Sequence, residues 1–378
     1  MDAELIAIGD ELLDGAVVNT NAGILSSLLS REGYQVRRHL VLPDEQEEVA
    51  RALREALVRT PLVVATGGLG PTCDDITRAA ALAALDLPFP DERAHVLVNP
   101  VGSEPGLVFW REGRALVLLP GVPEEMRALC ADQLLPYLRI KMPADRRLHV
   151  EELHFCLLAE QAVDSHIRRM RQEHPRIRAG IYPSSGVLTV RLTGEDPAEL
   201  SRCKERLAAA FPREAFESPS GSIAEAIQTL CVQRKKTVAF AESCTGGALA
   251  SLVTAIPGAS DYFLGSCVVY ANALKRRVLS VSEKTLQQRG AVSGEAVQEM
   301  LSGLFALSGA DYGVAVSGIA GPGGGSEGKP VGTIWAALGA RGKEPQLCTF
   351  TARGSRSGII HAASCRLLCL LWIYLQTH

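Results

Sequence analysis

Short apolar runs that break off at polar, glycine-bearing loops, each followed by helical spacing, recur along this chain and confine it to a layered α/β architecture. Runs at 4–8, 34–42 and 62–65 alternate with helical patterns at 21–32, where Ile24, Leu25, Leu28 and Leu29 share a face, and at 44–59, where Val49, Ala52, Leu53, Ala56 and Leu57 do. This βαβαβ order implies a mostly parallel sheet covered on both faces, with ligands collecting at the carboxyl ends of its strands. Two polar loops occupy such ends: Gly9-Asp10-Glu11, and a glycine-rich loop from Thr66 through Gly67, Gly68 and Gly70 to Asp74 and Asp75. Its glycines permit close approach to an anion, and Asp74 and Asp75, with Asp10 and Glu11, offer hard oxygen ligands for a divalent ion such as magnesium. The rival reading is that Asp74 or Asp75 caps a helix starting near Ile76, helped by Thr72. Farther on, an apolar strand ends at Leu119 and a helix starts at Pro123.

Residues 147–218 change the pattern to βαββαβ, a ferredoxin-like α+β module that reads as a spacer or contact domain. His154, His166 and His174 lack metal-ligand spacing and read as surface histidines. Ser218-Pro219-Ser220-Gly221-Ser222 reads as a hinge. Beyond it, apolar strands at 238–240, 266–270 and 312–316 end in polar loops, and a later strand covers 332–338, which predicts an α/β/α layer domain with one cleft. The predicted domains are therefore 1–144, 145–218 and 221–378.

The chemical centre of the last domain is the loop Glu242-Ser243-Cys244-Thr245-Gly246-Gly247. A strand running through hydroxyls and two glycines into a helix is expected to present free N–H groups and the positive helix end at one point, able to hold a phosphate or polarise a carbonyl. Ser243 needs a base, and the domain's histidines are His361 and His378. Lys275, at the end of a neighbouring strand, can serve if burial lowers its pKa, with Tyr270 relaying or orienting the proton, as in Ser-Lys nucleophile pairs. Against this, Ser243 as a helix cap, Lys275 as a surface charge and Tyr270 as core fit the sequence as well. Cys244 is a rival nucleophile or an inert buried thiol.

Composition excludes several classes. The 378 residues are 47% hydrophobic and 21% charged with a net charge of −3, and aromatics are 5%, so no basic, aromatic platform for nucleic acid is expected. Ten cysteines contain no Cys-x-x-Cys pair, and the first residues carry no basic, apolar leader, which predicts a reducing cytoplasm. The apolar stretch 367–375 is short of the ~20 residues that span a bilayer, so no membrane role is expected and a packed helix, at a subunit contact, is.

Several motifs carry a family resemblance. Gly9-Asp10-Glu11-Leu12, the loop 66–72, Asp74-Asp75, Asn99-Pro100-Val101-Gly102 and Leu119-Pro120-Gly121-Val122-Pro123 resemble the N-terminal domain of CinA (competence/damage-inducible) proteins, whose fold is similar to the molybdopterin-binding domain. The resemblance implies an N-terminal α/β/α fold and, as in some members, ADP-ribose hydrolysis with a divalent metal. Departures are Asn19 for aspartate, Cys73 for proline, and a missing helical segment between 87–91 and Asn99, which favours a domain kept for assembly.

The loop 241–247, the segment 270–275, Gly290-Ala291-Val292-Ser293, the segment 317–322 and Lys329-Pro330-Val331-Gly332-Thr333 resemble the CinA C-terminal domain. That resemblance implies a nicotinamide mononucleotide (NMN) deamidase yielding nicotinate mononucleotide and ammonia, in pyridine-nucleotide recycling. Ser243 is then the nucleophile, Lys275 the base and Tyr270 its positioner. Thr245, Gly246, Gly247, Asn272, Ser317, Gly318 and Arg356 bind the nucleotide. Gly323 replaces an aspartate, Arg356 aligns after a one-residue shift, and Ile360 replaces a second arginine. The resemblance implies no cofactor for deamidation, a small nucleotide substrate and a homodimer. The non-enzyme alternative is a degenerate nucleotide-binding scaffold.

Overall fold

The computed structural model describes residues 1–70, 75–87, 93–144 and 148–378. They form two compact units, Met1–Val150 with Gly194–Pro197, and Glu151–Thr193 with Ala198–His378.

In the first unit, β1 (Asp2–Ile8), β2 (Gln35–Leu42), β3 (Leu62–Thr66), β4 (His95–Leu97), β5 (Gly106–Arg111) and β6 (Arg114–Leu119) form one sheet in the order β2-β1-β3-β6-β5-β4. The first four in that order run parallel, and β5 and β4 are antiparallel additions at one edge. Every residue of β3 is buried. Because side chains alternate, Leu62 and Val64 enter a core with Leu25 and Leu29 of helix Thr20–Arg31, while Val63 and Ala65 enter a second core with Val49 and Leu53 of helix Gln46–Arg59. A continuous apolar strand is thus the sequence signature of burial on both faces.

The second unit contains two sheets. β7 (His149–Cys156), β8 (Arg178–Ser184), β9 (Val187–Gly194) and β10 (Ala215–Phe216) lie in the order β10-β7-β9-β8, the ferredoxin-like arrangement. His154 corrects the reading of surface histidines. It is only 4% exposed, with Nδ1 2.9 Å from Thr189 Oγ1 and its ring against Phe216, and burial lowers its pKa. The expected hinge is a pinned turn: Glu225 accepts hydrogen bonds from Ser218 Oγ, Ser220 N–H and Ser220 Oγ. A Ser/Gly composition reads as flexible until a carboxylate from the next helical turn gathers its hydroxyls.

The other sheet has the order β12-β11-β13-β14-β15, from β11 (Val238–Glu242), β12 (Phe263–Val268), β13 (Tyr312–Gly318), β14 (Thr333–Ala340) and β15 (Gln346–Thr351). β12, β11 and β13 are parallel, and β14 and β15 antiparallel. One face packs Val238, Phe240, Val314 and Val316 with Ile227, Leu249, Leu367 and Leu371. The other packs Ala239, Ala241 and Ala315 with Leu279, Val297 and Met300. Small alanines on this second face let helix Gly294–Ser308 approach closely. The apolar stretch at 367–375 proves to be part of the 22-residue helix Arg356–Thr377, long and apolar enough on length and composition to cross a membrane. Ile359, Ala363, Leu367, Leu371 and Leu375 of this helix are buried in the domain's own core.

Candidate active site

β11 ends at Glu242, and Ser243 follows with its N–H donated to Val316 O on β13, so the serine sits at the carboxyl end of the parallel strands. β12 stops at Val268, and the next two carbonyls turn toward Lys275 on helix Asn272–Leu279. Lys275 Nζ lies 2.9 Å from Val269 O, 3.0 Å from Tyr270 O and 2.9 Å from Ser243 Oγ. The residue is 1% exposed, forms no ion pair with a described carboxylate, and burial lowers its pKa from the usual 10.5. A neutral amine has two N–H donors and one lone pair. Lys275 Nζ donates to Val269 O, Tyr270 O and Ser243 Oγ, and in the neutral form that burial favours its lone pair can face the Ser243 hydroxyl instead.

The expectation of a free helix end does not describe this loop. The side chain of Glu242, fully buried, accepts from Gly247 N–H (2.9 Å), Leu249 N–H (3.1 Å) and Ala250 N–H (3.0 Å), and from Ser266 Oγ–H (2.9 Å) on β12. It therefore occupies the first turn of helix Ala248–Thr254, whose N-cap, Gly247, has no side-chain cap. Among the described residues, Cys244 and Thr245 keep N–H groups that donate to no protein oxygen, and Thr245 Oγ1 is buried without a partner. Gly246 (φ +61°) and Gly247 (φ +100°) make the left-handed turn that returns the chain into the helix. Burial pushes the Cys244 thiol up to about 12, which keeps it protonated beside Ser243. The sequence by itself assigns Glu242 no role of its own, although a charge ending the apolar run Val238-Ala239-Phe240-Ala241 is a readable anomaly.

Tyr270 is 57% exposed, and its hydroxyl accepts from Arg356 Nη2 at 2.8 Å rather than touching Lys275, which it contacts through its carbonyl. Arg356, the first residue of its helix, also donates to Gly321 O at 2.6 Å. Ser317 is buried at the end of β13, and Gly318 packs so closely that a Cβ there would lie 3.0 Å from Cys244 Sγ. Ser243, Cys244, Lys275, Tyr270 and Arg356 thus form one connected set, flanked by Gly318. Asn272 is exposed at the start of its helix. Lys329 donates to Arg289 O and Val292 O, binding two loops together.

The first unit has its own cleft of about 360 Å³, bordered by Glu11, Asp44, Gly67, Gly68, Gly70, Asp75, Glu104 and Glu125. Asp10 lies beside it, and Asp10 and Asp44 exchange N–H-to-carboxylate bonds of 3.1 and 3.3 Å. Asp74 lies outside the described residues. Helix Thr77–Ala84 has Ile76 as its N-cap residue, whose side chain makes no capping bond. Among the described residues, no three His, Cys, Asp or Glu side chains gather closely enough to hold a metal ion.

Comparison with known proteins follows this division. Residues 220–375 match the CinA C-terminal domain and residues 4–140 the probable molybdopterin binding domain. A CinA-like protein of Endomicrobium trichonymphae is 34% identical over 95% of this chain and 95% of its own length, and one of Thermotoga neapolitana is 35% identical over 89% of each. The first alignment runs over 410 positions, of which this chain fills about 359 (95% of 378), so the relative carries roughly 50 residues that this chain lacks. Among solved structures, a competence/damage inducible protein of Agrobacterium tumefaciens is 36% identical, covering 43% of this chain and 98% of its own, with a TM-score of 0.40. With relatives of this identity over nearly its whole length, the chain belongs to the CinA-like, competence/damage-inducible protein family.

Proposed function

We propose that the second unit is an NMN amidohydrolase using a Ser-Lys pair. The observation that carries the reading is the buried Lys275 amine, held by two carbonyls and in hydrogen-bond contact with Ser243 Oγ. Ser243 Oγ attacks the amide carbon while its proton passes to Lys275 Nζ. The C–N bond then breaks and the leaving nitrogen takes that proton, departing as ammonia. Water hydrolyses the resulting ester with Lys275 again as base, releasing nicotinate mononucleotide and free serine. The N–H groups of Cys244 and Thr245 supply donors for the oxyanion. Arg356 and Tyr270, joined at 2.8 Å, stand beside the nucleophile as a clamp for the nucleotide, with Thr245, Gly246, Gly247, Asn272, Ser317 and Gly318 around them. The substrate is the one implied by the resemblance to the CinA C-terminal domain.

Ammonia release from NMN tests the reading. Ser243→Ala is expected to lower kcat by roughly 10⁴-fold or more. Full activity in that variant would rule out the covalent route.

A second reading, metal-dependent hydrolysis of ADP-ribose in the first unit, rests on the resemblance to the CinA N-terminal domain and on a cleft that Glu11, Asp75, Glu104 and Glu125 border without converging on one point. ADP-ribose assayed with and without magnesium tests it, and absence of turnover retires it.

A further inference from the structure

We propose that Glu242 is the positioning residue that holds Ser243 against Lys275, an inference that rests on the Ser-Lys reading above. A helix start is ordinarily capped by a short Ser, Thr, Asp or Asn at the N-cap itself. Here the capping group is a glutamate on the preceding strand, and burying a carboxylate is costly unless every lone pair is used. Four donors use them: the Gly247 N–H at the far end of the nucleophile loop, the Leu249 and Ala250 N–H groups in the first turn of the helix, and the Ser266 hydroxyl on β12. The backbone of the same residue completes the brace. Glu242 O accepts from Val269 N–H at 2.8 Å, one residue before the second of the two carbonyls that hold Lys275. Glu242 therefore ties together the loop that carries the nucleophile and the segment that cages the base. A cap confined to the helix would fix only the first. By using the helix's N–H groups, Glu242 also removes them from substrate binding, which leaves the anionic end of a nucleotide to the Arg356 side.

The test compares wild type, Ser266→Ala and Glu242→Gln by two readouts that do not depend on the natural substrate. The first is the rate at which a fluorophosphonate labels Ser243, a reaction in which Oγ attacks phosphorus, fluoride leaves and Lys275 takes the proton. The second is the titration midpoint of Lys275, followed by NMR of its ¹⁵Nζ. Glu242→Gln keeps one acceptor but turns an NH₂ toward N–H donors, and is expected to slow labelling by roughly 10²-fold. As the cage loosens and water enters, the Lys275 midpoint is expected to rise toward its ordinary value, which a purely structural cap would not cause. Ser266→Ala removes one bond of four and is expected to move both readouts in the same direction by less, and it decides the matter if Glu242→Gln does not fold. Unchanged labelling and an unchanged midpoint in the folded variants would overturn the inference. Wild type labelled at Ser243 but releasing no ammonia from NMN overturns the substrate, and the variant comparison still decides the role of Glu242. Wild type that is not labelled at all overturns both.

Discussion

Val269 O, Tyr270 O and Ser243 Oγ surround the buried Lys275 amine, and the burial that disfavours its charged form gives the proposed base a defined pH behaviour. On the proposed Ser-Lys mechanism the base works only when neutral, so kcat/KM is expected to rise with pH through the lowered Lys275 pKa. Stability has the same sign. Between that pKa and 10.5 the unfolded chain binds a proton that the folded chain does not, so stability increases with pH across the window, by at most about 1.4 kcal/mol per pH unit. Below the lowered pKa the penalty of charging a buried amine is fully present. Denaturant unfolding of wild type and Lys275→Met at several pH values checks this: wild type should gain on the variant as pH rises, and parallel curves would contradict it. Tyr270→Phe should leave the acid limb of the activity profile in place, since the carbonyl remains, and raise KM for NMN several-fold through loss of the Arg356 contact. The sequence offers the serine and lysine as chemical types at the ends of adjacent strands and Tyr270 as a residue that relays or orients the proton, and the contact with Lys275 is made by the Tyr270 carbonyl. Side-chain chemistry is written in residue names, whereas the direction of a backbone carbonyl depends on where β12 stops, and no residue name encodes that.

Strands buried on both faces and amphipathic helices were the most legible elements, because β3 and helix Gln46–Arg59 print their burial directly as apolar runs and 3.6-residue spacing. β4, β5 and β15 went unread. β15 has no fully buried residue and β4 has one, so neither produces a strong pattern, and β5 ends in exposed Trp110 and Arg111. The helix Arg356–Thr377 was underestimated because its first turns carry Arg356, Ser357, Gly358 and His361 beside the site before the continuous apolar part begins. Glycines at strand ends are the tightest element-level constraint. At Gly67, with φ +95°, a Cβ would lie 2.1 Å from Ile8 O, so Gly67→Ala is expected to cost about 1–3 kcal/mol by urea unfolding. At Gly318 a Cβ would meet Ile334 Cδ1 at 2.5 Å, Thr333 O at 2.7 Å and Cys244 Sγ at 3.0 Å. Gly318→Ala is expected to lose about 1–3 kcal/mol. Because it pushes on the residue next to Ser243, it should also slow ammonia release; a variant equal to wild type in both measurements would show that β14 yields freely.

The division into two units places the ferredoxin-like module with the C-terminal sheet, although its βαββαβ order reads from the sequence as a separate spacer or contact domain. The reason lies in contacts no local pattern announces: Phe216 meets Trp372 with ring centroids 6.0 Å apart, His361 Nε2 lies 3.1 Å from Ser185 Oγ, and Cys369 Sγ donates to Gly186 O at 3.6 Å. A fragment covering 148–378 is therefore expected to melt above one covering 221–378, each 1 kcal/mol of lost packing lowering Tm by about 2–4 °C. Equal melting temperatures would make the module a passive attachment. The helix Arg356–Thr377 supplies one wall of this packing and, at its first residue, the arginine that faces Tyr270. It follows every strand of its sheet in the chain. On a ribosome, which releases the chain from its N-terminus onward, the nucleophile loop and the caged lysine emerge well before the element that finishes the pocket. Until that helix is made, the face of the sheet carrying Val238, Phe240 and Val316 lacks Leu367 and Leu371, so on the proposed reading the core and the Arg356 side of the site are completed together by one late element.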